Sequence, residues 1–485
     1  MKHFGILALA GLATAKPLQG RATQPIISCT SLSAPTVDGA VVTSINATQQ
    51  DAHCAVDVYL THGTAADNVH ILTWLPTEWN GRYEGTGGSG AVAGGSSSSL
   101  SNPVAAGYAA GTTNAGLPSS SDGAAWANDT QLRTNFAYLS VHEMTLVGKA
   151  LTKQYYGQEP VYSYWNGCST GGRQGNMEVQ RYPTDYQGVY AASPAINYDR
   201  FQVAQLWPFV VQTVEGEFVP KCVLTALTNA AIAACDGDDG GKDGLISNPN
   251  TCNFDAASLV GQASNCSESP TLTARQAKIF KSIAHGPVDT SGNKLFSGIP
   301  LGTPLGTLAS TSPPSLMTSW VKNFVLREPN FNLSTVTYET FPKIFQQSID
   351  MYHNFSGTSN TDLSSFQSAG GKLLSWHGFS DSIIGGNGSV QYRVDVQNTM
   401  GGAAKVDEFF RLFMAPGVDH CSGGYGAVPE DPFNALVAWV ENGTAPDTLA
   451  AKGSSGFTRN LCRYPLQLKY TGSGDINAAA SWTCV

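Results

Sequence analysis

Apolar and polar residues largely alternate in two short segments near the start of the chain. In CAVDVYL (54–60) and VHILTWLP (69–76), apolar residues recur with the two-residue period of a strand that has one buried face. The segment 135–157, NFAYLSVHEMTLVGKALTKQYYG, instead has apolar residues at helical spacing and ends at Gly157, a residue type common just after a helix. The pattern therefore predicts two strands followed by a helix.

Strand and helix patterns alternate again beyond this helix. PVYSYW (160–165) and GVYAASPA (188–195) are short apolar runs typical of buried strands. Between them, TGGRQGNMEVQRY reads as a helix that Pro183 would end. The order strand, helix, strand predicts βαβ units and a parallel sheet.

The periodicity fades between about residues 200 and 368, where Cys, Pro, Ser and Thr are frequent, and then returns. GGKLLSWHG (370–378) and DEFFRLFMAPG (407–417) predict core strands, and FNALVAWVENG (433–443) predicts an amphipathic helix. We interpret the middle of the chain as an insertion in an α/β core. The predicted division is residues 16–200 and 369–485 for the core, and 201–368 for an inserted lid domain.

The first residues resemble a secretory signal. A basic start is followed by an apolar run from Phe4 to Leu12 and by Ala13-Thr14-Ala15, which fits an A-x-A cleavage site. We therefore predict a signal peptide at residues 1–15; a buried N-terminal helix is the alternative. The later sequence has no run of about 18 apolar residues, so we expect a soluble, extracellular protein without a membrane span.

Charge excludes one class of partner. The formal net charge is −9, and only 13% of residues are charged. An acidic surface repels phosphates, so neither nucleic acid nor an anionic membrane is the expected partner. The oligomeric state stays open.

The ten cysteines and the glycosylation sequons are consistent with export. The cysteines are even in number and lack C-x-x-C spacing, which in an exported chain favours five disulfides over a zinc site. Their pairing does not follow from the sequence alone. N-x-S/T sequons, which also arise by chance in a Ser/Thr-rich chain, begin at Asn46, Asn128, Asn265, Asn332, Asn354, Asn387 and Asn442.

One G-x-S-x-G pattern, Gly167 to Gly171, lies between a predicted strand and a predicted helix. In that setting the glycines allow a sharp turn that raises the hydroxyl of Ser169 toward substrate. The backbone N–H of Thr170 then starts the helix and is placed to stabilise an oxyanion. A plain glycine-rich turn is the alternative interpretation.

A serine nucleophile needs a base and an orienting acid, which in this fold class follow it in the order Asp/Glu, then His. Asp381 comes just after the strand that ends near residue 376, and Asp419 is a competitor, although it adjoins the favoured base. That base is His420, in the glycine-rich loop APGVDHCSGG. The histidines that follow the serine are His285, His353, His377 and His420.

Two cysteines strengthen this choice of base. Cys168 precedes Ser169, and Cys421 follows His420. If the serine and the imidazole are in hydrogen-bond reach, their neighbours fall within the Cα–Cα span of a disulfide, about 4.4–6.8 Å. Such a bond would clamp the nucleophile turn to the histidine loop, and the chain-entropy model gives it at most about 5 kcal/mol.

Taken together, GCSTGGRQG, HGFSDSIIG, GVDHCSGG and CRYP…SWTC (462–484) closely resemble the fungal tannase and feruloyl esterase family. The resemblance covers roughly residues 29–485. It implies a secreted serine esterase with an α/β-hydrolase core and a lid, acting on esters of hydroxycinnamic or hydroxybenzoic acids. It also implies Ser169 as nucleophile, Asp381 as acid and His420 as base, beside a Cys168–Cys421 disulfide.

The resemblance extends to the oxyanion loop and the other cysteines. RYEGTGGSG (82–90) matches the family's glycine-rich loop, which implies Gly88, or Gly87, as the second oxyanion donor. The chain lacks one further cysteine after this loop, one in the N-terminal region and one near residue 260 that many members have. With these departures, the resemblance implies the pairs Cys29–Cys54, Cys235–Cys252 and Cys462–Cys484, and it leaves the pairing of Cys222 with Cys266 open.

The loop CDGDDGGKDGLISNPNTC (235–252) places four aspartates among glycines. Clustered carboxylates repel one another unless a cation neutralises them, and flexible oxygen ligands suit Ca²⁺. No glutamate stands at the twelfth position, so the loop is not an EF-hand. By resemblance to the family's lid, a structural Ca²⁺ is expected; a solvated acidic turn is the alternative. The ligands would be side chains of Asp236, Asp239 and Asp243 and backbone oxygens of Gly241 and Leu245.

The expected function is therefore that of a serine carboxylesterase, most simply a feruloyl esterase that acts through an acyl-enzyme on phenolic esters of plant cell-wall polysaccharide. A tannase that cleaves galloyl esters is the near alternative. A non-catalytic protein that binds polysaccharide or phenolics is the alternative from another class. Lid aromatics at Trp207, Trp320 and Phe324 are either a slot for a phenolic ring or ordinary core.

Overall fold

The computed structural model describes residues 22–64, 66–120 and 122–485. The predicted signal peptide, residues 1–15, lies outside the described residues. The described strands are β1 Val41–Gln49, β2 His53–Thr61, β3 Val69–Pro76, β4 Arg82–Thr86, β5 Ala109–Thr113, β6 Tyr162–Cys168, β7 Gly188–Ala192, β8 Lys372–Gly378, β9 Phe410–Ala415, β10 Val428–Pro429, β11 Thr448–Lys452, β12 Thr458–Cys462, β13 Leu468–Tyr470 and β14 Trp482–Cys484.

Helices cover both faces of the main sheet and fill the insertion. A π-helical segment, Asn135–Leu139, precedes the helix Ser140–Tyr156, and another, Trp320–Val325, follows the helix Ser315–Ser319. The described α-helices are α1 Ser101–Ala105, α2 Thr130–Thr134, α3 Ser140–Tyr156, α4 Thr170–Arg181, α5 Tyr198–Ala204, α6 Trp207–Glu215, α7 Lys221–Cys235, α8 Ala274–His285, α9 Ser315–Ser319, α10 Phe341–Ser356, α11 Ser364–Ser368, α12 Asn387–Met400, α13 Ala403–Asp407 and α14 Pro432–Asn442.

Nine of the described strands form one mixed sheet in the order β1-β2-β3-β5-β4-β6-β7-β8-β9. The first four in this order pair antiparallel, and every pair from β5–β4 onward is parallel. The predicted strands at 54–60 and 69–76 are confirmed as β2 and β3. The expected parallel sheet is thus confirmed for its catalytic half. The antiparallel half was not predicted, because alternation along a strand does not show the direction of its neighbour.

The parallel half positions the chemistry. Strands β6, β7, β8 and β9 lie side by side, so their carboxyl ends open at one edge of the sheet. This is where α/β folds gather catalytic groups. The predicted helices at 135–157, at TGGRQGNMEVQRY and at 433–443 are α3, α4 and α14. The fold is of the α/β-hydrolase type that the sequence predicts.

The insertion enters between two hydrogen-bonded neighbours, β7 and β8, so residues 193–371 leave the sheet and return to it. This segment is rich in helix, from α5 to α11, although its sequence showed no clear period. In α7, KCVLTALTNAAIAAC, small Ala and Thr residues on both faces weaken the contrast on which a periodicity argument depends. Its helices were therefore missed.

The lid aromatics belong to a hydrophobic core. Trp207, Trp320 and Phe324 are only 3–4% exposed and pack in one cluster with the lid helices. Trp126 and Phe136, from before β6, pack into the same cluster, and the ring of Trp126 lies 5.1 Å from that of Phe324. These lid aromatics therefore form core, and the alternative of an open phenolic slot at these positions is wrong.

Smaller features complete the fold. The C-terminal region adds a three-stranded sheet, β10-β11-β12, and the pair β13-β14. Across the described part of the chain, no helix combines the length and the apolar character that crossing a bilayer requires. The disulfides are Cys29–Cys54, Cys168–Cys421, Cys222–Cys266, Cys235–Cys252 and Cys462–Cys484; the third of these was left open above, and the other four are the pairs that the family resemblance implies.

Candidate active site

Ser169 lies at the sharp turn between β6 and α4. Its backbone has φ 62° and ψ −122°, a strained conformation that lifts the side chain off the sheet. The backbone packs so closely in this turn that there is no space for a side chain at its glycine positions. A Cβ on Gly167 would lie 2.5 Å from the backbone of Gly171. The pattern G-x-S-x-G thus has a direct steric reason here.

His420 lies within hydrogen-bond reach of this serine. Its Nε2 is 2.8 Å from Ser169 Oγ, and its Nδ1 is 2.8 Å from Asp381 Oδ2. An ionised carboxylate only accepts, so Nδ1 carries the proton and Nε2 is left with a lone pair that faces the serine hydroxyl. This is the tautomer that a general base needs. The structure thus brings the three predicted residues together in one hydrogen-bonded chain.

Asp381 is held as a charged acceptor. Its side chain is fully buried, and its Oδ1 accepts the backbone N–H groups of Ile383 at 2.9 Å and Ile384 at 2.7 Å. Burial alone would raise the pKa of this carboxyl, but hydrogen bonds from His377 and His420 hold it well below its usual range. The carboxylate is therefore ionised throughout the physiological range.

The competing acid does not reach the imidazole. Asp419 Oδ1 accepts from the backbone N–H and hydroxyl of Ser382 and from the backbone N–H of His420. Asp419 therefore stabilises the backbone of the histidine loop, as expected for an immediate neighbour in sequence.

The other candidate histidines have different positions. His353 Nδ1 is 3.2 Å from Asp199 Oδ2, and His285 ends α8, where its Nδ1 is 3.3 Å from Gly286 O. His377 lies beside the site, buried behind Asp381. Apart from the closeness of residues 377 and 381, nothing along the chain indicates a second imidazole on this carboxylate.

The disulfide Cys168–Cys421 joins the nucleophile turn to the histidine loop. Its Cα atoms are 6.0 Å apart, within the usual span. The backbone N–H of Cys421 also donates to Ser193 Oγ at 3.3 Å, at the end of the neighbouring strand β7. The loop that carries His420 is thus tied to the sheet on both sides of the base.

The predicted oxyanion donors differ in whether their N–H groups are already engaged. Thr170 is the first residue of α4, so its N–H has no acceptor within the helix. Gly88 does not offer a free donor: its N–H donates to Gln174 Oε1 at 2.9 Å. The N–H of Gly87 is likewise engaged, with Asn166 O at 3.0 Å.

The glycine loop has a packing role at these two positions. A Cβ on Gly88 would lie 2.0 Å from Val92 O, and one on Gly87 would lie 2.5 Å from Gly171. Gly88 O accepts the N–H of Gly171 at 2.9 Å, so the loop rests directly on the first turn of α4. The loop's next residues reach the site, since Gly90 O accepts the hydroxyl of Thr170 at 2.7 Å.

The acidic loop of the lid, residues 235–252, is a separate site. Asp239 is buried, and burial raises its pKa, with the neighbouring carboxylates of Asp243 and Asp236 acting in the same direction. The positive group that faces them is Arg459, whose Nη2 is 2.5 Å from Asp243 Oδ2.

The oxygen ligands that this loop offers are chemically suited to a hard cation. A hydrogen bond within the loop, such as that from Gly241 N–H to Asp239 Oδ1 at 2.9 Å, uses only one lone pair of the accepting oxygen. The remaining lone pairs of the carboxylate can still bind a cation. The carboxylates of Asp236, Asp239 and Asp243 do not all come within 4.8 Å of one another, about the span of opposed Ca²⁺ ligands. Binding an ion therefore requires these side chains to turn inward.

A family model described as tannase and feruloyl esterase matches residues 54–485. The chain belongs to this family. A probable feruloyl esterase of Arthroderma benhamiae is 40% identical over an alignment of 524 positions, gaps included, that covers 99% of this chain and 97% of that protein. The family resemblance inferred from the sequence is confirmed, and this family member is a carboxylesterase.

Solved structures of the family agree with the fold. Feruloyl esterase B from Aspergillus oryzae superposes with a TM-score of 0.82 at 29% identity and covers 93% of this chain and 98% of its own. Tannin acyl hydrolase from Aspergillus niger gives a TM-score of 0.82 at 27% identity, over 93% of this chain and 92% of its own. Both named activities are therefore represented among the structural neighbours of this family member.

Proposed function

We propose that this family member is a secreted feruloyl esterase that works through an acyl-enzyme on phenolic esters of the plant cell wall. The observation that carries the proposal is the chain Ser169 Oγ to His420 Nε2 to Asp381, with 2.8 Å at each of its two steps. The names of its relatives supply the substrate class.

The first half of the reaction uses the observed tautomer. His420 Nε2 takes the proton of Ser169 as its Oγ attacks the ester carbonyl, and Asp381 stabilises the imidazolium that forms. The negative charge that develops on the carbonyl oxygen is held by the N–H of Thr170 at the positive end of α4. As the tetrahedral intermediate collapses, His420 returns the proton to the departing alcohol, and the acyl group stays on the serine.

The second half repeats these steps with water. His420 removes a proton from water, the hydroxide attacks the acyl-serine carbonyl, and the serine leaves with its proton restored. The acid is released, and the enzyme is regenerated. Because Gly88 N–H is engaged, the segment Ser89–Gly90, which contacts Thr170, is our candidate for the second oxyanion donor.

The lid loop is proposed as a structural calcium site. Asp236, Asp239 and Asp243 would supply carboxylates, and Gly241 and Leu245 backbone oxygens. A bound cation would offset the mutual repulsion of the carboxylates, and Cys235–Cys252 closes the loop around them. The site takes no part in the ester chemistry.

Export is proposed on the disulfides and the sequons. Five disulfides form and persist in an oxidising compartment. The sequon asparagines are accessible to a glycan, since Asn387 is half-buried and the others are exposed. Intact-mass measurement before and after enzymatic deglycosylation of protein secreted by a fungal host tests both points. A secreted protein with no mass change would reject glycosylation, and intracellular retention would reject export.

Activity on small esters tests the main proposal. Wild type and Ser169→Ala are assayed on methyl ferulate and methyl gallate, with melting temperature as the folding control. We expect hydrolysis of the ferulate by wild type and its loss in the variant by about 10⁴-fold or more. Equal rates in the two proteins would overturn the triad.

Tannase is the second candidate, because the tannin acyl hydrolase fits the fold as well as feruloyl esterase B does. A higher kcat/KM on gallate than on ferulate would assign the protein to it. Binding of either ester without hydrolysis would instead support a non-catalytic binding protein.

A further inference from the structure

His377 is a buried imidazole that shares the carboxylate of the proposed catalytic acid. It is the residue before the last of strand β8 and is fully buried. Its Nε2 is 3.1 Å from Asp381 Oδ2, the same oxygen that His420 Nδ1 contacts at 2.8 Å. One carboxylate oxygen thus lies between two histidines.

The proton on His377 can be assigned from its surroundings. Nε2 also lies 2.8 Å from the carbonyl oxygen of Ile384. A carbonyl and an ionised carboxylate only accept, so Nε2 carries its one hydrogen and shares it between these two acceptors. Nδ1 lies 2.7 Å from the hydroxyl of Ser389, which is itself buried in the first turn of α12 and fixes the ring from the opposite side.

This donor completes the set on Asp381. Oδ1 accepts from the N–H groups of Ile383 and Ile384, and Oδ2 accepts from His377 and His420. A carboxylate offers about four acceptor positions, and here all four are used. The carboxylate is therefore fixed in rotation, and its negative charge is divided between two imidazoles.

We propose that His377 is a positioning residue for the proposed ester hydrolysis, acting through Asp381 to set the orientation and the basicity of His420. The proposal rests on the proposed triad. Without the His377 donor, Asp381 has one hydrogen bond fewer and becomes more basic, so it stabilises the imidazolium of His420 more strongly. The carboxylate is also freer to turn, so the base is less well aligned with the serine.

The charged surroundings of this carboxylate are simple. Among the described residues, the titratable groups that face it are His377 and His420, with Asp419 across the Ser382 turn. The lid contributes an uncharged contact, from the hydroxyl of Thr303 to Phe379 O at 3.3 Å. From α12 the contact is Ser389 on the ring of His377. A change in the pH profile is thus attributable to the two imidazoles and Asp419.

Two substitutions separate the donor from the ring. His377→Gln keeps an N–H near the position of Nε2, whereas His377→Leu removes it at similar volume. For His377→Leu we expect kcat to fall by about 10- to 100-fold, the effect of one hydrogen bond to a charged group, with KM little changed. We also expect the acid limb of its kcat/KM profile to move to higher pH. His377→Gln should restore most of kcat and the limb.

A lower melting temperature for His377→Leu, with kcat and the acid limb unchanged, would mean a purely structural role and would overturn the proposal. If His377→Leu does not fold, Ser389→Ala decides, because it leaves the ring without its second contact. Ser389 is also the third residue of the Asn387 sequon, so this variant is compared with wild type in an Asn387→Gln background. Lower kcat and a shifted limb support the proposal, and unchanged values overturn it.

The failure of this inference and that of the proposed function are distinguishable. If Ser169→Ala retains activity, the triad itself is wrong. If Ser169→Ala is inactive while His377→Leu matches wild type, only the role of His377 is rejected.

Discussion

The active site and the acidic lid loop are both closed by a disulfide and both contain buried carboxylates, but they differ in how the negative charge is balanced. At Asp381 the protein supplies four donors, two from the backbone and two from imidazoles. In residues 235–252, Asp239 is next to other carboxylates, and the facing cation is Arg459.

This difference shows in the pKa directions. Hydrogen bonds hold the pKa of Asp381 below its usual range despite burial, whereas burial and neighbouring charge raise that of Asp239. The first site is ready to react as folded, since its own residues orient and neutralise the acid. In the second, the carboxylates are balanced less completely by the protein's own groups, as expected if the proposed cation binds there.

The largest loss of activity is expected from a change at the proposed catalytic acid, Asp381. Asp381→Asn replaces an acceptor by an amide that can donate to His420 Nδ1 and so hold the wrong tautomer, which should lower kcat on methyl ferulate by about 10⁴-fold. Asp419→Asn is the matched control, because its remaining oxygen still accepts from Ser382 and from the backbone of His420. Similar losses in both variants would contradict the assignment of Asp381.

The clamp should affect both activity and stability. Replacing Cys168 and Cys421 together by serine removes the link between the nucleophile turn and the base, so we expect a lower kcat and a loss of about 2–5 kcal/mol in the free energy of unfolding. The double serine variant of Cys29 and Cys54 lacks a disulfide far from the site and should lose stability with kcat unchanged. Equal kcat in the two variants, measured on folded protein, would show that the clamp has no catalytic role.

Removal of calcium tests the second region of the comparison, the acidic lid loop. If the loop binds Ca²⁺, chelation should lower the melting temperature, and Ca²⁺ at 100 times its Kd should restore about 2.7 kcal/mol. Asp239→Asn should abolish this calcium dependence. Asp238→Asn is the control, since Asp238 is exposed in the same loop. Calcium-independent melting of wild type, or less than one calcium per chain by metal analysis, would reject the site.

The smallest expected effect is a pH-dependent change in melting temperature, at a buried carboxyl group that receives no hydrogen bond from an N–H or hydroxyl group. Glu178 on α4 is 1% exposed, and among the described residues no N–H or hydroxyl group donates to its oxygens, which lie instead beside the carboxyl group of Asp185. Burial and then the charge of Asp185 raise its pKa, with Lys149 acting in the opposite direction. An acid whose folded pKa is raised destabilises the fold as pH rises above its unfolded pKa, near 4.3.

Glu178→Gln removes this ionisation. The melting temperature of the variant should therefore exceed that of wild type at pH 8, and the difference should shrink toward pH 4. Melting curves across this range at constant salt measure it. A difference that grows on acidification would show that the carboxylate is stabilised in the fold, as Asp381 is.

Local pattern was sufficient for much of the fold. Strands β2 and β3, the helices α3 and α4 and the turn between β6 and α4 were predicted because their residues alternate or repeat within one element. The lid helices were not, because α7 is rich in small residues on all sides. The antiparallel half of the sheet was not, because strand direction depends on partners distant in sequence.

The candidate site divides in the same way. The sequence by itself determined the candidates Ser169, Asp381 and His420, the cysteines beside the first and last of them, and the glycines of the turn, because these can be recognised from local chemistry and spacing. Only the tertiary structure decided that His420, 251 residues beyond the serine, is the histidine that reaches it.

The tertiary structure alone also decided that the N–H of Gly88 donates to Gln174, 86 residues away, and that His377 lies behind Asp381. A hydrogen bond depends on positions within a few tenths of an ångström, which are set by how β6, β8 and the loops pack together. No pattern along one segment contains that information, because the partners are brought together only when the sheet forms.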